Sequence, residues 1–518
     1  MRFVSDPPIS VKIRKMKQRV RWQDKLIAER GIDQTKLVLG DRAIDNPEFS
    51  FLVVGDSGAG SQGRHNPQRQ VAEQMLNHKN TSRFVLHTGD VIYLVGSSEH
   101  YYKNFIKPYR EFIVGGEHPK EIAYDKMVFN LPFLPVLGNH DYYDLPFIYG
   151  LMAQTTLPLR RLLQSKLDMD IGWHGSHQGQ AYAKAFLDYL KAFEDDNEII
   201  RHLDHHYTAK TNTGRCLYYE PGSFTRLPNR YYSFQSGGID FFALDSNTFN
   251  SPLPLPKDLA GQDYRRQLEQ RRDRLEEEKL SYIEESTTLD YENQEQSDQL
   301  DDLRTKIEQL DELRNDIDKQ LAADETTVVD TEQLDWLTNS LIESWHNPEV
   351  RGRVVYFHHP PYVTEATKWH QAQTLAIRDR FRQVLDEVAS KIGSQKGDRP
   401  LVDLVLNGHA HCLEYLRTGN TGHADAHTNW IVCGGSGFSL RRQRSEGAEL
   451  TETQSGGVVA RSLLYIGRNG QGSQKKRPYS FLRIDVQAGI PPKFVVRPFV
   501  VERFQGKWSN IEIKPFVI

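Results

Sequence analysis

FVLHTGDVIY, residues 84 to 93, is an apolar run that ends abruptly in Asp90 and Tyr93. A short run of this composition predicts a buried strand, and a polar side chain directly behind it lies at the strand's C-terminal edge. Open α/β sheets place their binding sites at that edge. The segment therefore predicts both an α/β core and a functional site within it.

Four other runs have the same form, an apolar stretch followed by Asp, Asn or His. They are FLVVGD with Asp56, FLPVLGNHD with Asn139 and His140, VVYFHH with His358, and LVLNGHAH with His409 and His411. Five such edges in one chain predict that these side chains share one metal centre. Asp, Asn and His without Cys suit iron, manganese or zinc better than a soft, thiolate-bound metal.

The number of candidate ligands indicates how many ions are bound. Two carboxylates, one amide, three histidines and a tyrosine are too many for one catalytic ion and about right for two. A carboxylate can bridge two ions roughly 3.5 to 4 Å apart, and such a pair clamps attacking and leaving oxygens while making a water nucleophilic. This chemistry suits the hydrolysis of a phosphate ester.

The motifs as a set resemble those of a known superfamily. The chain is similar to the calcineurin-like metallophosphoesterases in five ordered blocks: Asp56-Ser57-Gly58, Gly89-Asp90-Val91-Ile92-Tyr93, Gly138-Asn139-His140-Asp141, Val355-Tyr356-Phe357-His358 and Gly408-His409-Ala410-His411. Gly58 stands where most of that superfamily has His, and Tyr93 follows the second Asp by three residues. This combination resembles the purple acid phosphatase branch.

The resemblance implies a fold and a set of metal ligands. The implied fold is α/β, an α+β sandwich of four layers in which helices flank two mixed β-sheets. The implied ligands are Asp56, Tyr93 and His411 for a first ion, Asn139, His358 and His409 for a second, and Asp90 as the bridge between them. The first ion is expected to be Fe(III), and the second Fe(II), Zn or Mn.

The resemblance also implies how the site acts. A metal-bound hydroxide would attack phosphorus in line, and His140 and Asn139 would contact the phosphate. His140 would protonate the leaving oxygen, with Asp141 orienting it. The expected activity is hydrolysis of phosphate monoesters, on a small phosphate-ester substrate.

Two alternative functions remain open. The first is a phosphodiesterase or nucleotide pyrophosphatase, because the same metal pair serves those reactions. The second is a metal-containing scaffold or phosphate sensor that acts through a helical hairpin. Arg441, Arg442 and Arg444 bear on the first alternative: they either grip a polyanionic leaving group such as a nucleotide or lie in a solvated loop. His359 is expected to point away from the site, because successive strand residues alternate in direction.

Composition changes along the chain suggest how it is organised. We expect an N-terminal extension over residues 1–46 and a catalytic domain over 47–518, interrupted by two insertions. Residues 145–215 contain helical patches and are expected to form a lid. Residues 257–325 are dense in charge and carry Leu at heptad-like spacing, which predicts a projecting, coiled-coil-like helical hairpin. Its apolar stripe either seals the hairpin on itself or, over residues 262–322, binds a protein partner or a second copy.

Charge and cysteine content exclude several classes of protein. A formal net charge of -4 gives no broad electrostatic footprint for nucleic acid or an anionic membrane. The three cysteines are scattered, so they predict neither disulfides nor a thiolate cage. The first twenty residues lack an apolar segment typical of a signal peptide. We therefore expect a cytoplasmic protein without nucleic-acid or membrane partners.

Overall fold

The computed structural model describes residues 5–40, 46–58, 65–144, 176–289, 294–452, 456–471 and 474–518. Residues 145–175 of the predicted lid lie outside these ranges. The helices are α1 (Ile9–Arg19), α2 (Lys25–Ala28), α3 (Pro67–Lys79), α4 (Asn139–Tyr142), α5 (Gln180–Phe186), α6 (Asp196–His206), α7 (Leu259–Thr287), α8 (Gln294–Ala322), α9 (Thr331–His346) and α10 (Ala372–Ile392). Of the helices within the described ranges, none combines the length and apolarity needed to cross a bilayer.

The strands alternate with these helices and fill most of the remaining core. They are β1 (Ile32–Leu39), β2 (Phe49–Val54), β3 (Val85–His87), β4 (Phe133–Pro135), β5 (Ala209–Thr211), β6 (Gly214–Tyr219), β7 (Tyr232–Ser236), β8 (Ile239–Ala243), β9 (Gly352–Tyr356), β10 (Leu404–Asn407), β11 (Leu413–Thr418), β12 (Asn429–Cys433), β13 (Glu449–Thr451), β14 (Val458–Ile466), β15 (Lys476–Gln487), β16 (Lys493–Phe504), β17 (Lys507–Glu512) and β18 (Phe516–Val517).

The strands form two mixed sheets. The larger sheet has the order β13-β14-β11-β12-β10-β9-β8-β7-β1-β6-β5, and the smaller has the order β17-β16-β15-β2-β3-β4. Strands β8, β9 and β10 run parallel in the larger sheet, and β2, β3 and β4 run parallel in the smaller one. The predicted pair of mixed sheets is confirmed.

The two sheets pack face to face, with helices on the outer sides. Along β9, Val354 and Tyr356 belong to the core between the sheets, whereas Val355 belongs to the core beneath helices α9 and α10. This alternation explains why strand β9 is apolar throughout. Helix α3 covers the other side of the smaller sheet, where the His78 ring lies 4.3 Å from that of Phe499. The predicted four-layer α/β architecture is confirmed.

The segment predicted to be an N-terminal extension contributes to the larger sheet. Strand β1 lies between β6 and β7 and pairs in parallel with both. Its Leu37 and Leu39 are buried and alternate with half-buried neighbours. Because only these two residues carry the apolar alternation, the sequence signal was too short to distinguish a strand from the polar helix before it.

The predicted helical hairpin is present as helices α7 and α8. The helices run antiparallel, since Lys279 pairs with Asp311 at 2.6 Å and Glu276 with Arg314 at 2.7 Å. The prediction that the hairpin projects from the body is wrong. Helix α8 lies against the body through its polar side chains, and Asp316 accepts hydrogen bonds from the backbone N–H groups that begin α10.

Candidate metal centre

The five predicted ligand segments all follow parallel strands. In the smaller sheet, Asp56 follows β2, Asp90 follows β3 and Asn139 follows β4. In the larger sheet, His358 follows β9, and His409 and His411 follow β10. The C-terminal edges of the two sheets therefore contribute side chains to one buried cluster, as open α/β sheets do at their binding sites.

The backbone turns sharply at three of these positions. Asp56, Asp90 and His409 have φ values of 52°, 54° and 65°. This left-handed region is uncommon for residues with a Cβ, and it concentrates at functional sites where the surroundings hold it. Two glycines make room for the turns: a Cβ on Gly138 would lie 2.0 Å from Asp90 Oδ1, and one on Gly58 would lie 2.3 Å from the Val91 carbonyl oxygen. A side chain at position 58 would therefore collide with the backbone that follows Asp90.

Tyr93 lies at the centre of the first group of donors. Its hydroxyl oxygen is 3.0 Å from Asp56 Oδ1, 2.8 Å from Asp90 Oδ2 and 3.1 Å from His411 Nε2. A phenol has one proton to donate, so it can satisfy only one of these three neighbours at a time. A cation would instead satisfy the whole group.

The second group of donors forms around His358. Its Nε2 lies 3.0 Å from Asn139 Oδ1 and 3.2 Å from Asp90 Oδ2. Asp90 therefore faces both groups, because the same Oδ2 also contacts Tyr93. Its other oxygen accepts a hydrogen bond from the backbone N–H of His140 at 2.9 Å.

Backbone carbonyls fix the orientation of two of the histidines. His358 Nδ1 donates to Thr88 O at 2.9 Å, and His411 Nδ1 donates to Ser439 O at 2.9 Å. A carbonyl oxygen only accepts, so both Nδ1 atoms carry a proton and both Nε2 atoms face the cluster. Histidines that bind metal ions are commonly held in this way.

His409 is held differently from the other two. Its backbone N–H donates to Asp56 Oδ2 at 2.9 Å, and its Nε2 accepts from Lys368 Nζ at 3.0 Å. Burial and then the charge of Lys368 lower the pKa of His409 well below its usual value. The imidazole is therefore neutral, and binding a metal ion through Nε2 would require Lys368 to move away from that nitrogen.

The cluster concentrates negative charge in the protein interior. The side chains of Asp56 and Asp90 are buried. Burial, reinforced by the charge of Asp90, raises the pKa of Asp56 well above its usual range. Against the effect of burial, Asp90 raises the pKa of His358 to about 9. Without metal ions, a charged His358 thus offsets part of the negative charge of Asp90.

His140 and Asp141 lie next to the cluster, and their side chains have different hydrogen-bond partners. His140 is partly exposed, and its Nδ1 donates to Leu94 O at 2.6 Å. Asp141 was expected to orient His140, but its carboxylate accepts instead from the backbone N–H groups of Gly138 at 2.9 Å and Ile92 at 3.3 Å. Asp141 is the third residue of α4, and its carboxylate accepts from the backbone N–H of Gly138, the residue that precedes the helix.

The prediction that His359 points away from the site is wrong. Nitrogen atoms of His358, His359 and His409 lie within 4.8 Å of one another. His359 Nδ1 is 2.8 Å from Ser246 Oγ, so this ring also has a fixed partner. Strand β9 ends at Tyr356, and the strict alternation of a strand therefore does not extend to residues 358 and 359.

Two charged residues near the cluster were not found by the sequence analysis. Lys368 contacts His409, and Glu312 of helix α8 contacts Lys368 at 2.7 Å. The available signal was the four-residue spacing of Glu308, Glu312 and Asp316, which places these acids on one face of α8. Such a stripe commonly faces solvent, but here it faces the site.

The donor set fits a pair of metal ions. Two carboxylates, a phenol, an amide oxygen and three imidazoles are hard or borderline ligands, and at most 6% of any of these side chains is exposed. Carboxylates buried this deeply require a counter-charge, which metal ions provide. Asp56, Tyr93 and His411 form one group, and Asn139 and His358 form another, with Asp90 in contact with both. His409 lies near His358, with its Nε2 facing Lys368. Two groups with a shared carboxylate match two ions better than one.

Comparison with known proteins gave matches only at the level of structure. No family model matches the chain, and no curated protein matches its sequence. The purple acid phosphatase PPD1 from yellow lupin (Lupinus luteus) seeds is similar with a TM-score of 0.40 and 11% identity, over 91% of this chain and 54% of the lupin chain. The match therefore spans about half of the lupin phosphatase.

Two other solved structures are similar to a comparable degree. PhoD matches with a TM-score of 0.40 and 13% identity, over 92% of this chain and 70% of its own. A dimetal phosphatase from Danio rerio matches with a TM-score of 0.35 and 11% identity, over 91% of this chain and 98% of its own. Because all these TM-scores lie below 0.5, the function proposed below rests on the side chains of the site.

Proposed function

We propose that this protein is a dinuclear metal-dependent phosphoesterase that hydrolyses phosphate monoesters. The position of Asp90 carries the proposal: its Oδ2 lies 2.8 Å from Tyr93 Oη and 3.2 Å from His358 Nε2. One carboxylate thus faces both groups of donors, as a bridging ligand must.

Each group of donors would hold one ion. Asp56, Tyr93 and His411 would hold the first, Asn139, His358 and His409 the second, and Asp90 would serve both. When bound, such a pair polarises phosphoryl oxygens and makes a water molecule nucleophilic near neutral pH. The burial of the donors keeps bulk water out and strengthens electrostatic interactions within the site.

His140 is the residue to which we assign proton transfer. Its Nδ1 proton is engaged by the Leu94 carbonyl, so Nε2 remains for the substrate. Partial exposure places the ring at the edge of the buried cluster, where a leaving group would depart. We assign contact with the phosphate to His140 and Asn139. We assign protonation of the leaving oxygen to the Nε2 proton of a doubly protonated His140, which leaves a neutral ring with its Nδ1 proton still bound to Leu94 O.

A panel of substrates tests the reaction class. The purified, metal-loaded protein should turn over an aryl phosphate faster than a bis-aryl phosphate or a nucleotide. Strong preference for the diester would replace the monoester assignment with the phosphodiesterase alternative. Failure to hydrolyse any of these esters with two ions bound would contradict a phosphoesterase altogether.

Removal of the proton donor tests the role of His140. We expect His140→Ala to lower kcat for an aryl phosphate by about a hundredfold, the usual contribution of a positioned acid. His423→Ala is the matched control, because His423 is exposed and pairs with Asp386. Equal rates for the two variants would contradict the role of His140. The scaffold alternative would be favoured if, in addition, deletion of residues 262–322 abolished binding of a partner.

The phenol ligand leads us to propose Fe(III) as the first ion, with Fe(II), Zn or Mn as the second. A phenolate bound to Fe(III) absorbs visible light, so the iron-loaded protein should be coloured. Tyr93→Phe should abolish the band, whereas Tyr415→Phe, away from the cluster, should retain it. A colourless, active protein containing two Mn or Zn ions would refute the iron assignment and leave the phosphoesterase proposal intact.

A further inference from the structure

A carboxylate from the helical hairpin joins two buried cations beside the metal centre. Glu312 Oε2 lies 2.7 Å from Lys368 Nζ, and Glu312 Oε1 lies 3.0 Å from Arg441 Nη2. Lys368 and Arg441 are each 1% exposed. Against the effect of burial, these two cations lower the pKa of Glu312 to about 2, so its carboxylate is ionised.

Both cations are anchored directly to metal-ligand residues. Lys368 Nζ also donates to His409 Nε2 at 3.0 Å, and the backbone N–H of Arg441 donates to His411 O at 2.9 Å. Lys368 lies in the loop between β9 and α10, and Arg441 in the loop after β12. The cations thus belong to the body of the protein, whereas the anion that joins them comes from the hairpin.

Building on the proposed function, we propose that Lys368 and Arg441 form a phosphate-binding cradle for the substrate, and that Glu312 occupies this cradle in the described conformation. Its two carboxylate oxygens take the places of two phosphate oxygens. Lys368 and Arg441 would then determine affinity for the anionic substrate, and substrate binding would require Glu312 to leave.

The chemistry of the cradle favours phosphate as its ligand. A lysine and an arginine that bind separate oxygens of one anion reproduce a common mode of phosphate recognition. Burial raises the pKa of Glu365, the other carboxyl near both cations, whereas Glu312 contacts both cations directly. Removing Glu312 would take away the carboxylate nearest to both cations and leave Glu308, 3.8 Å from Arg441 Nη2, as a more distant partner of Arg441.

Attachment of the hairpin does not depend on Glu312 alone. Asp316, one turn further along α8, accepts from the backbone N–H groups of Ala372 at 2.8 Å and Gln373 at 3.0 Å. Arg441 Nη1 also donates to Thr305 O at 2.7 Å. These contacts would keep α8 against the body while Glu312 changes position, which makes Glu312 suitable as a displaceable group.

Binding of inorganic phosphate to the metal-loaded protein tests the cradle without relying on turnover. Isothermal titration calorimetry should show about tenfold tighter phosphate binding for Glu312→Gln, because a like charge no longer competes with phosphate. Lys368→Gln should weaken binding about tenfold, since a charge-assisted hydrogen bond is lost. Melting curves and metal content show whether each variant remains folded and loaded.

The hairpin provides a matched control in Glu276→Gln. Glu276 pairs with Arg314 across α7 and α8, so this change weakens the hairpin without touching the cradle. Its phosphate affinity should equal that of the wild type. Unchanged or weaker phosphate binding in a folded Glu312→Gln variant would overturn the proposal and leave Glu312 as a structural contact.

Pyrophosphate as a second ligand shows which phosphate the cradle holds. A larger gain for pyrophosphate than for phosphate in Glu312→Gln would assign the cradle to a phosphate next to the scissile one. Equal gains would assign it to the scissile phosphate. If the wild type binds two ions and hydrolyses esters while Glu312→Gln gains affinity for neither anion, the cradle fails and the proposed function stands.

Discussion

Two fully buried polar clusters in this protein differ in the source of their positive charge. In the candidate metal centre, Asp90 lies 3.2 Å from the imidazole of His358, and Asp56 lies 3.5 Å from that of His411, whose pKa burial lowers to about 3. Near helix α9, Arg230 lies 2.5 Å from Asp330 and 3.5 Å from Asp245. An imidazole is positive only when protonated, whereas a guanidinium is always positive.

The two clusters also differ in whether the protein itself supplies enough hydrogen-bond donors for the buried acceptors. Asp245 accepts from Tyr142 Oη at 2.7 Å, and Asp330 accepts from Thr248 Oγ1 at 2.7 Å, so each carboxylate has a hydroxyl donor in addition to the guanidinium of Arg230. In the metal centre, three acceptors surround the single proton of Tyr93. A buried cluster that is complete in itself stabilises the fold, and one that requires an added cation indicates a binding site.

The largest expected effect is on catalysis. Asp90→Asn removes the carboxylate shared by both groups of donors, so kcat/KM for an aryl phosphate should fall about a thousandfold or more. Asp330→Asn is the control: it should lower stability and leave metal content and the rate of the folded fraction unchanged. Equal losses of activity in the two variants would remove the distinction between the clusters.

The next effect is on stability. Arg230→Met leaves Asp245 and Asp330 buried without their cation, which should lower the free energy of unfolding by about 3 to 5 kcal/mol. Urea denaturation measures this change, and the metal content of the folded protein should stay the same. A loss below about 1 kcal/mol would show that the arginine is not needed to balance these carboxylates.

A third buried acid, Glu414, tests whether every buried carboxyl group without an arginine or lysine partner belongs to a metal site. Glu414 accepts from the backbone N–H of Thr364 at 3.0 Å, and burial raises its pKa to about 7. The folded state therefore holds a proton that the unfolded state releases near pH 4.5. The free energy of unfolding should therefore fall as pH rises between these two values. Above pH 7 the loss should amount to about 2 to 3 kcal/mol.

Glu414→Gln should remove this pH dependence. The difference in free energy of unfolding between Glu414→Gln and wild type should shift toward the variant as pH rises from 5 to 8, while metal content stays unchanged. Urea denaturation at several pH values measures the difference. A difference that is constant with pH would contradict the raised pKa, and lost metal would place Glu414 in the site.

The smallest expected effect concerns an ion pair near the surface. The side chains of Glu276 and Arg314 remain 32% and 22% exposed, so Glu276→Gln should cost about 0.5 kcal/mol or less. The effect should shrink further in high salt, because exposed charges are screened. If Glu276→Gln lowered the free energy of unfolding as much as Arg230→Met does, burial would not explain the difference in strength between exposed and buried ion pairs.

The core and the converging ligands could be predicted because their signals are local. Each strand of the site is a short apolar run that stops at a polar residue, and FLVVGD with Asp56 shows this within six letters. Sheet topology then places such strand ends at one edge. The resemblance added the grouping of the ligands, which the local patterns alone did not give.

Features that depend on distant partners were not predictable from the same patterns. Glu312 meets Arg441 across 129 positions in the chain, and a charged helix face does not reveal which cation it meets. Strand β1 was missed because its edges pair with β6 and β7, far along the sequence. His359 was misplaced because the rule of alternation was applied beyond the end of β9.

Metal stoichiometry tests the central claim of this account most directly. Elemental analysis of the purified protein, followed by calorimetric titration of chelator-treated protein with Mn²⁺ or Zn²⁺, gives the number of ions bound per chain. The account predicts two ions for the wild type and loss of tight binding for Asp90→Asn. A wild-type protein that binds no ion, or one whose binding Asp90→Asn leaves unchanged, would contradict it.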